Sequence, residues 1–556
     1  MTTKPEERNT FTFEHAELGS MTGLLLPDNV VQFRGVPFAH VPGRFKQSIL
    51  LDALPHSNRD FTRLSYAAPQ TFPDDAAGGG FFPGVTHPPP SHESACLNLQ
   101  LNVPLACLQP PPQHRQLANL PLLVYIHGGG FVLGKIDEQH NTARMVEQSL
   151  RDAQPVLAAS IQYRLGALGY LHTPEPGHAN RALHDQRNAL RWLQRFVRGF
   201  GGDEQRVTVF GESAGAISIC GHMLGKVPES GALFSRAVLM SGVLGPMVGP
   251  VSVEEAEARY DEFLEVLGIE EKGVAGLERL RGLEVERIVD AAGVLNDRGS
   301  MWLSVREPGF FKEEVLELTW DQAPDALNDC SWVDEIILGT TGFEGTHQVA
   351  RVAAITPSEF LQGIKEKMGE ESKEVVSKEY DITPEMDQNL FVTQAMRWMG
   401  DVIFDAPTHA MAQSLTRKSN KKVYRYIFDV RNPFPNHDLY QQAHHWVDVY
   451  FVFKVHQFRY PSQRLKNIST KHAQLWITFA NGKTPWSAYK YTGKGDEVIM
   501  VADEREGWVE RTVAENEKVM EWSWRRCEKL WDSWKKESGK PFLPLRIAPL
   551  DGKKLT

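Results

Sequence analysis

The sequence of 556 residues predicts an α/β fold in which a mostly parallel central sheet is covered by helices on both faces. The first observation is a series of short apolar runs that alternate with helical stretches, at 122–126, 156–163, 207–210, 237–240, 336–338 and 423–428. Strands of a parallel sheet are buried on both faces and therefore form nearly continuous apolar runs. The second observation is that two of these runs lead directly into glycine-rich motifs, at the strand ends where open α/β sheets place their sites.

The run at 207–210 leads into Gly211-Glu212-Ser213-Ala214-Gly215, which has the pattern G-x-S-x-G, and residues 216–220 can form a helix. A serine on a sharp strand-to-helix turn exposes its hydroxyl above the end of the sheet. The flanking glycines are needed because larger side chains would collide with the neighbouring backbone. Ser213 is therefore the predicted nucleophile, although the pattern alone is weak evidence in a chain of this length.

The run at 122–126 leads into a second motif, His127-Gly128-Gly129-Gly130-Phe131. Three glycines after a strand leave backbone N–H groups free to point into a cavity, where they can hold a developing oxyanion. A flexible turn is the alternative interpretation of a triple glycine. Because both glycine motifs stand at the ends of predicted strands, the oxyanion site is favoured.

Several further segments accompany these motifs in chain order. They are Phe33–Ala39 (FRGVPFA), Glu93 with Cys96–Leu99 (CLNL), Tyr163–Gly169 (YRLGALG), Asp185-Gln186, Ala189–Trp192 (ALRW), Phe200–Asp203 (FGGD) and Ala237–Gly242 (AVLMSG). Over most of its length the chain thereby resembles the type-B carboxylesterase, or cholinesterase-like, family of α/β-hydrolases. The resemblance implies an α/β-hydrolase fold with helical insertions over an active-site gorge and a single catalytic domain over residues 1–556. It also implies hydrolysis of carboxylic esters through an acyl-enzyme, without a metal or an organic cofactor.

A serine alone is a poor nucleophile, and α/β-hydrolases supply its partners in the chain order Ser, Asp or Glu, His. The predicted acid is Glu344, which lies in Gly339–Gly345 (GTTGFEG) just after the apolar run at 336–338. This segment resembles the family pattern G-x-N-x-x-E-G, with Thr341 in place of the usual asparagine. Asp334 and Glu335 are weaker candidates because they precede the strand.

The predicted base is His445, chosen over its neighbour His444. The family usually has a carboxylate three residues after the histidine, followed by an aromatic-aliphatic-Phe ending. Asp448 and Phe451–Phe453 fit that spacing when it is counted from His445. We expect His444 to be a structural or gorge-wall residue, and His347 to have no catalytic role.

In the implied mechanism, His445 takes the proton of Ser213 as the hydroxyl attacks the ester carbonyl, and Glu344 orients the imidazole. Water then releases the acid from the acyl-enzyme. The resemblance assigns the oxyanion to three backbone N–H groups, those of Gly129, Gly130 and Ala214.

Three functions remain open at this point. The first is a carboxylic-ester hydrolase for small to medium esters with apolar or aromatic groups. The second is an acyltransferase, or a lactone-forming or lactone-opening enzyme, on the same triad; the third is a non-catalytic scaffold, which the retained triad disfavours. Candidates for the gorge wall, any of which can equally be core packing, are Phe131, Glu212, Trp302, Phe310, Phe311 and Trp446.

The composition of the chain limits its possible binding partners and its cellular compartment. The formal net charge is −10 and no basic patch is evident, which argues against nucleic acid. The first residues lack the apolar core of a secretory signal, and no 18-residue apolar run is present to span a membrane. The oligomeric state does not follow from the sequence.

Cysteine usage favours a cytoplasmic enzyme. Secreted family members usually join the equivalent of Cys96 to an upstream cysteine, but here residues 67–70 (AAPQ) stand where that partner would lie. Only five cysteines occur in the chain, which suits a reducing compartment.

Two further expectations concern the surface of the molecule. The loop at 70–91, with three glycines at one end and three prolines at the other, is either a movable lid over the gorge or an ordinary surface loop. The stretches 252–291, 358–380 and 515–535 are predicted to be amphipathic helices that pack on the protein.

Overall fold

A twelve-stranded sheet runs through the part of the chain that the structure describes. The structure, a computed structural model, describes residues 9–55, 59–71, 82–83, 85, 89–109, 118–418, 421–519 and 524–535, apart from the side chains of residues 347, 348 and 418. The strands are β1 Thr10–His15, β2 Gly19–Leu26, β3 Val30–Pro37, β4 Ala39–His40, β5 Ile49–Leu50, β6 Asn98–Pro104, β7 Leu120–Ile126, β8 Leu157–Ile161, β9 Gly202–Glu212, β10 Arg236–Met240, β11 Glu335–Thr341, β12 Lys422–Asp429, β13 Val498–Asp503 and β14 Gly507–Thr512. Strands β4 and β5 form a separate small sheet, and the others form the twelve-stranded sheet.

The strand order of the large sheet is β1-β2-β3-β6-β8-β7-β9-β10-β11-β12-β13-β14. The central strands from β8 to β13 are parallel to one another, whereas both edges of the sheet are antiparallel. All six strands predicted from apolar runs are present, and all belong to this parallel centre. The prediction of a mostly parallel central sheet is therefore confirmed.

Helices cover both faces of this sheet. Alternate residues of β7 show why: Leu122, Val124 and Ile126 pack into one apolar core layer, whereas Leu123 and Tyr125 pack into the other. The helices are α1 Ala143–Arg151, α2 Gly166–Tyr170, α3 Arg181–Phe196, α4 Ala214–Leu224, α5 Val253–Leu267, α6 Gly273–Arg281, α7 Val285–Asp297, α8 Ala323–Asn328, α9 Val349–Ala353, α10 Pro357–Glu379, α11 Gln388–Gly400, α12 Ala406–Lys418, α13 Val447–Val452, α14 Gln463–Ala480, α15 Val513–Val519 and α16 Trp524–Lys535.

The three predicted helical stretches form helices that pack on the protein. The first is divided into α5, α6 and α7, the second is α10, with a kink at Gly369, and the third contains α15 and α16. Trp524, Trp531 and Trp534 of α16 are buried, which confirms that this helix is packed. Within the described ranges, no helix combines the length and the apolar character that crossing a membrane would require.

Most of the loop at 70–91 lies outside the described residues, as does Met520 of the third stretch. The lid hypothesis and the prediction of one domain over residues 1–556 therefore stay predictions.

Candidate active site

Ser213 lies on the single-residue turn between β9 and α4. Its backbone has φ 53° and ψ −120°, a strained conformation for a residue with a side chain. The turn is held by a hydrogen bond of 2.9 Å from the N–H of Ser213 to the carbonyl of Met240. A Cβ on Gly215 would lie 2.1 Å from the carbonyl oxygen of Ile126, and one on Gly211 would lie 2.7 Å from the backbone of Gly215. Both flanking glycines are therefore required, as the sequence predicted.

The triple-glycine loop packs directly against this turn. A Cβ on Gly128 would lie 2.4 Å from the carbonyl oxygen of Glu212, so only glycine allows the approach. Gly129 and Gly130 both have positive φ, 108° and 58°. Within the described part of the chain, the N–H groups of these two glycines donate no hydrogen bond, and Ala214 is the first residue of α4, where backbone N–H groups have no partner inside the helix. The three N–H groups predicted to hold an oxyanion thus lie on the two segments that meet here.

Glu344 follows β11 in a short 3₁₀ turn, Glu344–Gln348. Its carboxylate is buried and is held on both oxygens: Oε1 accepts hydrogen bonds of 2.6 Å from the hydroxyl of Ser241 and from the N–H of Thr341, and Oε2 lies 2.5 Å from Nδ1 of His445. Burial by itself would raise the pKa of Glu344, but the imidazole and these hydrogen bonds hold that pKa below its usual value. The carboxylate is therefore kept ionised beside His445.

His445 lies in the loop between β12 and α13, which is tied to the loop that carries Glu344. The N–H of Phe343 donates a hydrogen bond of 2.8 Å to the carbonyl of Ala443, and Phe343 forms an isolated β-bridge with His444. This short pairing places the predicted acid and base side by side, although 101 residues separate them in the chain.

The carboxyl group of Glu212, the residue before Ser213, lies on the other side of the imidazole. Its Oε1 is 3.1 Å from Nε2 of His445, an ion-pair distance without hydrogen-bond geometry. Burial raises the pKa of Glu212 well above its usual range, and the charges of Asp448 and Glu344 add to this effect. The pKa values of the two carboxyl groups that flank His445 are thus shifted in opposite directions, that of Glu344 downwards and that of Glu212 upwards.

Two contributors to this site were not predicted from the sequence. Ser241, which follows β10, holds Glu344; its position at the carboxyl end of a predicted strand was the available signal. Phe404 stacks on the imidazole of His445 with ring centroids 4.3 Å apart and an interplanar angle of 26°. It lies in a π-helical turn, Asp401–Asp405, between α11 and α12, and no local sequence pattern marks it.

Of the residues rejected as members of the triad, His444 and Glu335 have other partners. His444 is buried, accompanied by Asn432 at 3.2 Å and stacked on His437, and burial lowers its pKa to about 4. Its surroundings are those of a neutral structural histidine. Glu335 begins β11 at the far end of the strand from Glu344 and lies near Arg236 and Lys422. The side chain of His347 is outside the described part of the chain.

The aromatic candidates for the gorge wall divide into two groups. Phe131 and Trp446 adjoin the glycine loop: Phe131 follows it in the chain and is buried against Tyr170, and the ring of Trp446 would lie 2.9 Å from a Cβ on Gly128. Trp302, Phe310 and Phe311 are instead fully buried in the core. Trp302 donates a hydrogen bond to the carbonyl of Ala292 and packs against Phe263, so it is a core residue.

Among the described residues, no group of three or more His, Cys, Asp or Glu side chains is placed so that it could hold a metal ion. The imidazole of His445 lies between the carboxyl groups of Glu344 and Glu212, and Glu212 is the residue before Ser213. This arrangement provides a hydroxyl, an imidazole and an ionised carboxylate, the groups that nucleophilic acyl transfer needs.

Comparisons with known proteins agree with this chemistry. A family model described as the carboxylesterase family matches residues 13–533. Lipase 3 of Yarrowia lipolytica (strain CLIB 122 / E 150) is 27% identical over 470 residues, which cover 82% of this chain and 86% of the relative. Para-nitrobenzyl esterase of Bacillus subtilis (strain 168) is 28% identical over 393 residues, which cover 67% of this chain and 74% of the relative.

The fold is also found among solved structures. A structure described as PNB esterase matches with a TM-score of 0.70 at 24% identity, over 93% of this chain and 99% of that chain. At this identity the likeness shows the fold alone, the α/β-hydrolase fold. The family model spans most of the sequence, and the chain therefore belongs to the carboxylesterase family and is a carboxylic-ester hydrolase.

Proposed function

We propose that this ester hydrolase works through a covalent acyl-enzyme on a triad of Ser213, His445 and Glu344. His445 takes the proton of Ser213 as the hydroxyl oxygen attacks the ester carbonyl, and then gives it to the leaving alcohol. Glu344 holds the imidazole in the tautomer that has its proton on Nδ1 and stabilises the imidazolium. Water, activated by the same imidazole, cleaves the acyl-enzyme and regenerates the serine.

The observation that carries this proposal is the contact of 2.5 Å between Glu344 and His445 beside the strained turn of Ser213. Strained backbone persists only where the surrounding structure over-determines it, and such residues cluster at functional sites. The oxyanion is assigned to the N–H groups of Gly129, Gly130 and Ala214, because these lie on the two segments that pack at the nucleophile. Loss of one such donor typically costs about 100-fold to 1,000-fold in rate.

The proposed substrates are small to medium esters with apolar or aromatic groups. The small space beside the nucleophile helix is lined mainly by apolar side chains, among them Phe131, Ile217, Leu244 and Leu303. Ligand sites are typically concave and mostly apolar, with a few placed polar groups. The names of two relatives, a lipase and a para-nitrobenzyl esterase, agree with an apolar acyl or alcohol group.

We further propose that the enzyme works in a reducing compartment such as the cytoplasm. All five cysteines lie in the described part of the chain, and each is a buried free thiol. Disulfides are rare in reducing compartments and common in secreted proteins. The free Cys96, at the position where secreted relatives form a disulfide, supports this location.

The test is a panel of p-nitrophenyl esters of increasing acyl length, with Ser213→Ala beside Ser235→Ala. Ser235 precedes β10 at the opposite end of the sheet and serves as a matched serine control. We expect turnover to be lost in the first variant and unchanged in the second, and a serine-directed phosphonate to label every protein except Ser213→Ala. Turnover that survives in Ser213→Ala would refute the triad. Labelling with little turnover, relieved by an added alcohol or amine acceptor, would instead favour the acyl-transfer alternative.

A further inference from the structure

The segment of residues 127–134, which contains the glycine loop, is held at its far end by a side chain that lies 64 residues earlier in the sequence. The amide of Gln70 pairs with both polar groups of the backbone of Gly134. Its Oε1 accepts a hydrogen bond of 3.0 Å from the N–H, and its Nε2 donates one of 3.0 Å to the carbonyl oxygen. Gln162 reaches the same carbonyl at 3.4 Å. The two bonds of Gln70 resemble those that two paired residues of an antiparallel sheet exchange, so they fix both the position and the orientation of Gly134.

Gly134 in turn packs against the start of the same segment. A Cβ on Gly134 would lie 2.1 Å from Nδ1 of His127 and 2.6 Å from the carbonyl oxygen of Gly128. Inside the segment, a Cβ on Gly129 would lie 2.3 Å from the carbonyl oxygen of Leu133. The two ends of the segment and its interior are therefore in close contact. Because these contacts leave no free space, a shift of Gly134 is passed on to the predicted oxyanion donors inside the segment.

The amide of Gln70 is itself held in place. Its Nε2 donates a second hydrogen bond of 3.0 Å to the carbonyl of Ala68, which uses the remaining N–H of the amide. Ala67 and Ala68 are buried, and Ala67 forms an isolated parallel β-bridge with Ser91. The backbone that carries Gln70 is thus anchored independently of the glycine loop, so this side chain can serve as a fixed support for Gly134.

We propose that Gln70 is a positioning residue for the oxyanion site, which it holds in its working geometry through Gly134. This inference rests on the proposed function, because it takes the N–H groups of Gly129 and Gly130 as oxyanion donors. Such donors stabilise the transition state only when their positions are fixed before the reaction, and a misplacement of about 1 Å can cost about 100-fold in rate. Gln70 therefore supports the chemical step rather than the binding of the substrate.

The experiment uses Gln70→Met, which keeps the length of the side chain and removes its hydrogen bonds to Gly134. With p-nitrophenyl acetate and butyrate, kcat should fall by about 10-fold to 100-fold, whereas KM should stay within about twofold. A trifluoromethyl ketone adds to the serine and forms a tetrahedral adduct with an anionic oxygen. Its inhibition constant should rise by about the same factor as kcat falls, because the adduct needs the same donors as the transition state.

The matched control is Gln47→Met. Gln47 is a half-buried glutamine between β4 and β5, and its amide donates a hydrogen bond to the carbonyl of Ala179. This variant should leave kcat and the inhibition constant unchanged. Titration of the serine with the phosphonate gives the concentration of folded sites in every preparation, so partial unfolding cannot be mistaken for a loss of kcat.

A second variant, Gln70→Glu, keeps the test decisive if Gln70→Met does not fold. A protonated carboxyl group has one donor and one acceptor and can still pair with Gly134, whereas an ionised one has only acceptors. The kcat of this variant, divided by that of the wild type at the same pH, should therefore be highest near about pH 5. The ratio should fall towards about pH 8 as the carboxyl group ionises.

The outcomes separate this inference from the proposed function. An unchanged inhibition constant in Gln70→Met, or a kcat ratio for Gln70→Glu that does not vary with pH, would overturn the inference and leave the proposed triad intact. Turnover that survives in Ser213→Ala would instead overturn the proposed function itself.

Discussion

At the scale of single residues, the two carboxyl groups beside His445 differ in their hydrogen-bond partners. Glu344 has hydrogen bonds from Ser241 and Thr341 and faces the imidazole, whereas Glu212 is buried without hydrogen bonds in the described part of the chain. The imidazole and the hydrogen bonds lower the pKa of Glu344, whereas burial raises the pKa of Glu212. Only the ionised group can stabilise an imidazolium.

The first prediction concerns Glu344→Gln, which tests whether an ionised carboxylate is needed beside His445. The variant keeps the shape of the side chain but loses its charge, so kcat should fall by roughly 10⁴-fold, as expected when the acid of such a triad becomes neutral. Glu335→Gln, at the other end of β11, is the matched control and should keep its activity. A loss of less than about tenfold in Glu344→Gln would contradict the proposed role.

The second prediction concerns Asp448, which accepts a hydrogen bond of 2.8 Å from the hydroxyl of Tyr426. Burial raises the pKa of Asp448 to about 7 in the folded protein. As the pH rises from about 4 to about 7, the unfolded chain releases this proton while the folded chain retains it, so stability falls over that range. The effect amounts to as much as about 4 kcal/mol above pH 7.

The amide introduced by Asp448→Asn cannot ionise and still accepts a hydrogen bond from the hydroxyl of Tyr426. The variant should therefore not lose this stability as the pH rises. We expect its Tm to exceed that of the wild type at about pH 8 and the difference to shrink towards about pH 4. Thermal melts across this range measure the effect. A Tm difference that does not vary with pH would show that the ionisation of Asp448 is not responsible.

At the scale of elements, the turn after β11 is fixed by its contact with α11. A Cβ on Gly345 would lie 1.7 Å from the carbonyl oxygen of Met396, so the turn that carries Glu344 can approach the helix only with glycine at this position. Gly345→Ala should therefore destabilise the protein by about 1–3 kcal/mol or more and move Glu344 away from His445. Gly282→Ala is the control, because the nearest atom to its Cβ would be 3.6 Å away. Equal Tm and activity in the two variants would contradict this account.

The π-helical turn between α11 and α12 is the second element that positions the site. Asp401 anchors it, accepting hydrogen bonds of 2.6 Å from Arg526 and from the hydroxyl of Tyr380, and Phe404 then covers one face of His445. Phe404→Leu removes the ring stack, so kcat should fall by roughly 10-fold to 100-fold through misplacement of the imidazole, with KM little changed. Phe404→Tyr should restore most of the rate. A change in KM alone would indicate a contact with the substrate instead.

At the scale of the whole molecule, stability does not depend on a disulfide. All five cysteines are buried free thiols, and burial raises the pKa of Cys96 and of Cys220 to about 12. Thiol titration should therefore find five reactive groups in denaturant and almost none in the folded protein, because buried protonated thiols react slowly. The Tm should be the same with and without a reductant. A titre below five in fresh, denatured protein would reveal a disulfide and argue against a reducing compartment.

The sequence by itself determined the parallel centre of the sheet and the residues proposed to carry the chemistry. Buried parallel strands are continuous apolar runs, so β7 to β12 were visible, and the glycines around Ser213 reflect a local steric need of the turn. The other strands of the sheet, β1 to β3, β6, β13 and β14, were missed. β1, β2 and β14 are partly exposed and carry mixed patterns that resemble loops, whereas the buried β6 alternates its apolar residues with Asn98, Gln100 and Asn102.

Only the tertiary structure decided which distant side chains act together. The bridge between Phe343 and His444, the stacking of Phe404 on His445 and the hydroxyl of Ser241 beside Glu344 all join residues that are far apart in the chain. The same is true of the aromatic residues, since Trp446 is partly exposed beside the glycine loop whereas Trp302, Phe310 and Phe311 are core. Local sequence encodes the conformation of a turn or a strand, but burial and partner distances arise only when separate elements pack, and these set the pKa values of Glu344 and Glu212.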